Sequence, residues 1–301
     1  MAVSALAFPA SVLANWLRSS DELFVGRAGF LFALLNLRLK ANLCTGTEAT
    51  ISELVKSTLA SGRQGASHFP EGSVHPPLVY SYYGSQYLGA AHGTAAILQA
   101  LLAAASNLNA MDLADLRASV DYFLDIQRSS GNFPRRHGGH WLEALLVTAV
   151  LVTSAHWLGD GAPAEEDELW HWCHGAPGLI HLLAAAYCHF KDKKYRRVPW
   201  PPSFILILFV LQRAGDLSRH RGDAYAFLLL GQLQPQEGKH RERALAFARF
   251  MDSDEFRQGA RRPDCPWSLF EGWAGTLCFY ADLLEPAQAE FPLYPHYAFP
   301  S

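Results

Sequence analysis

The chain has 301 residues, 50% hydrophobic and 18% charged, with a formal net charge of -3. This composition is typical of a globular protein, and the length allows one large core, with one or two domains both possible. No basic groove is indicated, so nucleic acid is not expected as a partner. Five cysteines without close, regular spacing favour a reducing compartment. We expect the cytoplasm, with the periphery of the plasma membrane as the alternative.

Two apolar stretches bear on membrane association. Met1 to Leu17 has no basic residue before its apolar run and is interrupted by Pro9, so a signal peptide is not favoured. Trp141 to Leu158 is just long enough to span a bilayer, but Glu143 and His156 lie inside it. A buried helix is favoured there, and membrane insertion is the minority alternative.

A small-residue turn followed by an apolar helical run recurs along the chain. The copies are Gly26-Arg27-Ala28-Gly29, Gly93-Thr94-Ala95-Ala96, Gly175-Ala176-Pro177-Gly178 and Gly272-Trp273-Ala274-Gly275. Glycine permits close backbone approach at the start of a helix. Because one such unit cannot bury its own apolar face, several must pack together.

Further helical periodicity lies between the copies, over residues 112–127 and 241–250, and strand-like alternation is nearly absent. Near position 219 a fifth unit precedes the helix-like stretch 224–230 but keeps only its closing glycine, Gly222. The sequence therefore predicts an all-α protein, an array of helical hairpins closed into a barrel or curved into a solenoid. The glycine turns are expected at one end, where a site would lie.

Cys173 and His174 stand together just before the third turn, and both residue types are good zinc ligands. The alternative is a buried cysteine beside a histidine that caps a helix. A zinc site needs at least three protein groups, and His171 or Cys188 could supply a further ligand.

His92 precedes the second turn as His174 precedes the third, so equivalent positions would converge if the repeats face one another. The alternative for His92 is to satisfy helix-end groups. Glu22 and Arg27 flank the first turn and are ordinarily a solvated pair or a cap. Tyrosines 80, 82, 83 and 87 favour packing over a pocket lining.

Several enzyme classes lack their motifs in this sequence. There is no phosphate-binding G-x-x-x-x-G-K-S/T loop, no nucleophile elbow and no HExxH pair. Hydrolases and nucleotide enzymes of those classes are therefore not indicated.

Four stretches, 21–29, 80–93, 172–178 and 268–276, look like successive landmarks of the eukaryotic LanC-like (lanthionine synthetase C-like) family. The resemblance implies an α/α barrel with Zn²⁺ at its mouth and glutathione or a thiol peptide as partner. It further implies thiol addition to dehydroamino acids, in which zinc favours the nucleophilic thiolate.

The resemblance also implies roles for particular residues. Cys173 matches the first zinc cysteine, and His174 is the adjacent candidate for the metal. His92 matches the active-site histidine, and Glu22 matches an acidic position implicated in bacterial relatives. Arg27 is the candidate for substrate binding.

Departures from the family pattern are concentrated in a few segments. The family's other two zinc ligands belong to a Cys-His pair in the turn of the fifth unit, near position 219, which we call the damaged turn. In this sequence Leu217 and Ser218 stand at those two positions. The basic residues expected before that turn are replaced by an apolar run, and family members carry well over a hundred further residues at the N-terminus. We therefore expect the barrel to be incomplete at the N-terminus. We expect an atypical segment at 1–18, then a barrel domain at 19–301 with atypical segments near 137–164 and 198–217.

Two functions stay open on these grounds. One is an impaired zinc-dependent catalyst of glutathione addition, in which His174, His171 or His220 substitutes as a ligand. The other is a non-catalytic protein that binds glutathione or a peptide.

Overall fold

The computed structural model describes residues 20–41, 47–137, 171–196, 221–259, 265–270, 272–294 and 299. Within these ranges the regular structure is helical, and the strand-like features are the isolated bridges Tyr82 to Ser85 and Tyr87 to Arg136. The all-α class predicted from the sequence is confirmed.

The glycine turns each start a helix, as their sequence predicts. The α-helices in chain order are α1 Arg27–Ala41, α2 Glu48–Ala66, α3 Thr94–Ala103, α4 Ala110–Asp125, α5 Ala176–Phe190, α6 Lys193–Arg196, α7 Arg221–Leu233, α8 Lys239–Met251, α9 Asp254–Gly259 and α10 Trp273–Asp282, with 3₁₀ turns at Ala105–Asn107 and Pro286–Gln288. Helices α4 and α8 match the predicted stretches within two residues at each end, and α7 contains the predicted stretch 224–230.

The helices form an inner row and an outer layer. The inner helices pack in chain order, α1 on α3, α3 on α5, α5 on α7 and α7 on α10. Helix α3 is buried from Thr94 to Leu102 and α5 from Ala176 to Tyr187, as expected of helices enclosed on all sides. The outer layer consists of α2, α4 and α8, which follow α1, α3 and α7 respectively. Each outer helix packs on the inner helix before it and buries only some of its own residues.

The C-terminal segment joins the last repeat to the first. The Asn36 amide on α1 donates to the Leu293 carbonyl at 2.7 Å, and Lys40 pairs with Glu290. At the turn end, the ring centroids of Phe24 and Phe270 lie 5.1 Å apart. The inner row therefore closes on itself, and the hairpins form the predicted α/α barrel.

Several predictions fall outside the described residues. These are the segments 1–18 and 198–217, all of 137–164 except His137, and the apolar stretch Trp141 to Leu158. Among the helices that the structure describes, none is long and apolar enough to cross a membrane.

Candidate functional site

Three of the glycine turns each contain the same kind of backbone hydrogen bond. The first helical N–H donates to the carbonyl seven residues earlier, from Arg27 to Ser20 at 2.9 Å, from Thr94 to Tyr87 at 2.9 Å and from Trp273 to Pro266 at 2.7 Å. Each bond folds the preceding loop back over the start of its helix. The residues just before the helices are thereby held at one end of the barrel.

The third turn is built differently, and it touches the second. Gly175 has φ +119°, a backbone conformation that favours glycine, and the Ala176 N–H donates to the Asn132 side-chain oxygen at 2.9 Å. Gly89 lies so close to the Cys173 carbonyl that a Cβ would approach its oxygen to 2.1 Å. The predicted convergence of the second and third turns is therefore observed. Sequence reasoning missed Asn132, whose partner lies 44 residues away.

Glu22 and His92 form a hydrogen-bonded pair between the first two turns. The Glu22 carboxylate is buried, with 1% of its side chain exposed, and its Oε2 lies 3.0 Å from His92 Nδ1. The backbone N–H groups of Phe24 and Val25 also donate to this carboxylate. Because an ionised carboxylate only accepts, Nδ1 of His92 is the donor in this bond, which leaves Nε2 as an acceptor whenever the ring is neutral.

Two aromatic side chains fix the plane of the His92 ring. Tyr82 stacks on it with centroids 5.0 Å apart and an angle of 9°, and Phe24 meets it in a T-shaped contact at 5.5 Å. Tyr82 precedes a tight turn in which Tyr83 and Gly84 have positive φ, as in a type I′ hairpin. His92 keeps 36% of its side chain exposed, so solvent and small molecules reach it.

The tyrosine-rich stretch divides between core and surface. Tyr80 is buried as packing predicts, whereas Tyr83 is 90% exposed at the tip of its turn. Burial raises the pKa of Tyr80 well above its usual range.

Arg27 pairs with Asp21 and not with Glu22. Its Nε donates to Asp21 Oδ1 at 2.7 Å, and Ser61 donates to Asp21 Oδ2 at 2.6 Å. Burial raises the pKa of Asp21, while the bonds from Arg27 and Ser61 oppose that rise. Of the two expectations for Glu22 and Arg27, the solvated pair was wrong, because both side chains are largely buried. The Glu22 carboxylate instead accepts from backbone N–H groups just before α1, which is closer to the cap. A substrate-binding role for Arg27 stays a prediction.

Cys173 and His174 lie on the third turn beside the Glu22–His92 pair. Cys173 is half-buried, and the His174 ring centroid lies 5.6 Å from that of Tyr87. The Tyr87 ring is in turn 6.5 Å from the His92 ring. Trp172 is buried and stacks on Phe270 at 5.5 Å, which connects this turn to the last one.

The described residues alone do not form a zinc site. Among them, no group of three or more His, Cys, Asp or Glu side chains is placed to hold a metal ion. Cys188 cannot join Cys173, since it lies roughly 18 Å along α5 from the start of that helix, and burial raises the pKa of its thiol to about 11. His220, Leu217 and Ser218 lie outside the described residues. Zinc binding through Cys173 and His174 stays a prediction.

The chain is an α/α-barrel protein, in which helical hairpins close into a ring. Histidine, carboxylate and thiol groups are gathered at its glycine turns. The sequence matches the lanthionine synthetase C-like protein family over residues 7–198 and 221–295, so the chain belongs to the LanC-like family.

The sequence of one relative supports this assignment. A Danio rerio protein named glutathione S-transferase LANCL1 is 33% identical over 282 residues, which cover 92% of this chain and 62% of that protein. The chain thus spans less than two thirds of the length of that relative. Among solved structures, nisin cyclase matches over 91% of this chain and 79% of its own, with a TM-score of 0.44 and 14% identity.

Proposed function

We propose that the chain binds glutathione or a related thiol peptide at the turn end of the barrel and supports its addition to dehydroamino acids, with weakened activation of the thiol. The observation that carries this proposal is the 3.0 Å bond between His92 Nδ1 and the buried Glu22 carboxylate. Family membership and the name of the Danio rerio relative support the choice of thiol.

The proton steps of such an addition suit His92. Its Nε2 takes the proton of the thiol, and the sulfur attacks the β-carbon of the dehydroamino acid to form the C–S bond. The π electrons move to the α-carbon, which then receives a proton from Nε2. Glu22 keeps the other nitrogen protonated and stabilises the imidazolium, as a carboxylate does for histidine in hydrolases.

Thiol activation is the weakened part in this proposal. In the family, zinc favours the thiolate. In this chain Leu217 and Ser218 stand where the family has two ligands, so Cys173 and His174 would have to act with a substitute. Addition is therefore expected to be slower than in relatives with a complete ligand set.

The test is formation of the adduct. The full chain is incubated with glutathione and a dehydroalanine peptide, and the product is followed by mass spectrometry. His92→Gln should lower the rate by about 10²-fold, whereas His189→Gln, an exposed histidine near the far end of α5, should not. A wild-type rate equal to the uncatalysed rate contradicts the proposal.

A second function is non-catalytic binding of a thiol peptide. The absence of a three-ligand group among the described residues favours it. It predicts that glutathione binds without forming an adduct and that chelators leave its affinity unchanged. Calorimetric titration with and without a chelator separates it from the first function.

A further inference from the structure

Arg136 is held next to Tyr87, which precedes the second glycine turn, by backbone pairing. It forms an isolated bridge with Tyr87, and the neighbouring Leu88 N–H donates to the Arg135 carbonyl at 3.0 Å. Leu88 also accepts a hydrogen bond at the second glycine turn, from the Ala95 N–H at 3.1 Å. The position of Arg136 is therefore tied to the loop that carries His92.

The Arg136 guanidinium lies over the Tyr87 ring, 5.1 Å from its centroid, and donates to the Tyr87 hydroxyl at 3.5 Å. The same ring contacts those of His92 and His174. Arg136 is exposed, and no carboxylate in the described part of the chain pairs with it. A stacked guanidinium keeps its edge N–H groups available for an anion.

Arg117 is a useful contrast, because it also lies over an aromatic ring, 5.3 Å from the centroid of Phe190. Its Nη2 is paired with Asp192 at 2.6 Å. The charge of Arg117 is therefore already matched within the protein, whereas Arg136 is exposed and has no carboxylate partner among the described residues.

We propose that Arg136 binds a carboxylate of the thiol substrate and so selects anionic thiols over neutral ones; the identity of the substrate rests on the proposed function. The guanidinium fork matches a carboxylate bidentately. Arg136 supplies a cation over the Tyr87 ring, which contacts the rings of His92 and His174.

The experiment is calorimetric titration of the full chain with glutathione and with its uncharged-carboxyl analogue, glutathione diethyl ester. No dehydroamino acid is present, so binding is measured apart from chemistry. Arg136→Gln should weaken glutathione binding by about fivefold and leave diester binding unchanged. Arg117→Gln should change neither, and about 0.5 M salt should narrow the difference between the two ligands.

Three results overturn this proposal: equal glutathione affinities for wild type and Arg136→Gln, an equal loss for the diester, or no glutathione binding by wild type. An equal loss for both ligands would show that Arg136 acts through packing on Tyr87. Failure of the proposed addition alone is distinct, since it would abolish the adduct and leave the charge-dependent difference in affinity, whereas wild type that binds no glutathione would contradict both proposals.

Discussion

The first two glycine turns are joined by side chains, whereas the third and last are joined to their neighbours by backbone contacts and aromatic rings. Between the first two, a buried carboxylate and a histidine meet at 3.0 Å, with two backbone N–H groups fixing the carboxylate. At the third turn, Cys173 offers its carbonyl to the second turn, and Trp172 stacks on Phe270.

In the proposed function, this difference separates an acid–base half, at Glu22 and His92, from a thiol half, at Cys173 and His174. The two side chains proposed for the acid–base half, His92 and Glu22, lie within residues 20–41 and 47–137 and are hydrogen-bonded to each other. The thiol half has a rigid loop and two candidate ligands, Cys173 and His174, but the described residues add no third. The comparison therefore predicts strong effects on rate from the first half and mainly effects on folding from the second.

The largest expected effect comes from Glu22→Gln. An amide can donate to His92 and so favours the wrong tautomer, and the rate of adduct formation should fall by about 10² to 10⁴-fold. Glu48→Gln, an exposed acid at the start of α2, is the matched control and should keep the wild-type rate. An unchanged rate in Glu22→Gln would contradict the proposed acid–base role of the Glu22–His92 pair.

Gly178→Ala tests the rigidity of the third turn. The new Cβ would lie 2.1 Å from the Trp172 carbonyl oxygen and 2.7 Å from the Ala90 Cβ. We expect a loss of about 3 kcal/mol in the free energy of unfolding, measured with urea. Gly238→Ala is the control, because nothing lies within 4 Å of its added Cβ. Similar losses for both variants would mean that close packing at the turn is unimportant.

Asn132→Ala removes the side chain that closes the third turn. The buried Ala176 N–H loses its acceptor, which should cost about 2 kcal/mol of stability. Asn109→Ala, which removes the cap of α4 at a more exposed position, should cost about 1 kcal/mol. Denaturant midpoints of both variants give the comparison, and an equal or smaller loss for Asn132→Ala would contradict it.

The smallest effect concerns pH and His181, which lies beneath the third turn against Phe291 and Tyr294. Burial lowers its pKa from 6.5 to about 3. Below pH 6.5 the unfolded chain therefore binds more protons than the folded chain. The free energy of unfolding should decrease as the pH is lowered, by about 1 kcal/mol from pH 6 to pH 5. His181→Phe should flatten this part of the stability profile relative to wild type. Parallel profiles would show that His181 is not buried as a neutral ring.

The sequence predicts the barrel well because its determinants are local. Glycines three residues apart mark where helices start, and apolar periodicity marks α4 and α8 within two residues. Repetition of the turn then implies that equivalent positions meet at one end. The proximity of His92 to the Cys173 turn follows from that argument without knowledge of distant contacts.

The hydrogen bonding within the site could not be predicted in the same way. Glu22 and Arg27 are close in sequence, yet Arg27 pairs with Asp21, whose other oxygen is held by Ser61 from α2. Asn132 reaches Ala176, and Tyr82 covers His92, through the packing of separate repeats. Such pairs depend on the relative orientation of helices, which no local pattern in one sequence specifies.

The most direct test of the proposed weakening of thiol activation is the zinc content of the purified full chain. Mass-spectrometric metal analysis should find well under one zinc per chain, and Cys173→Ala should not change that amount. One zinc per chain that is lost in Cys173→Ala would contradict the account, because it would show that the thiol half has a full set of ligands.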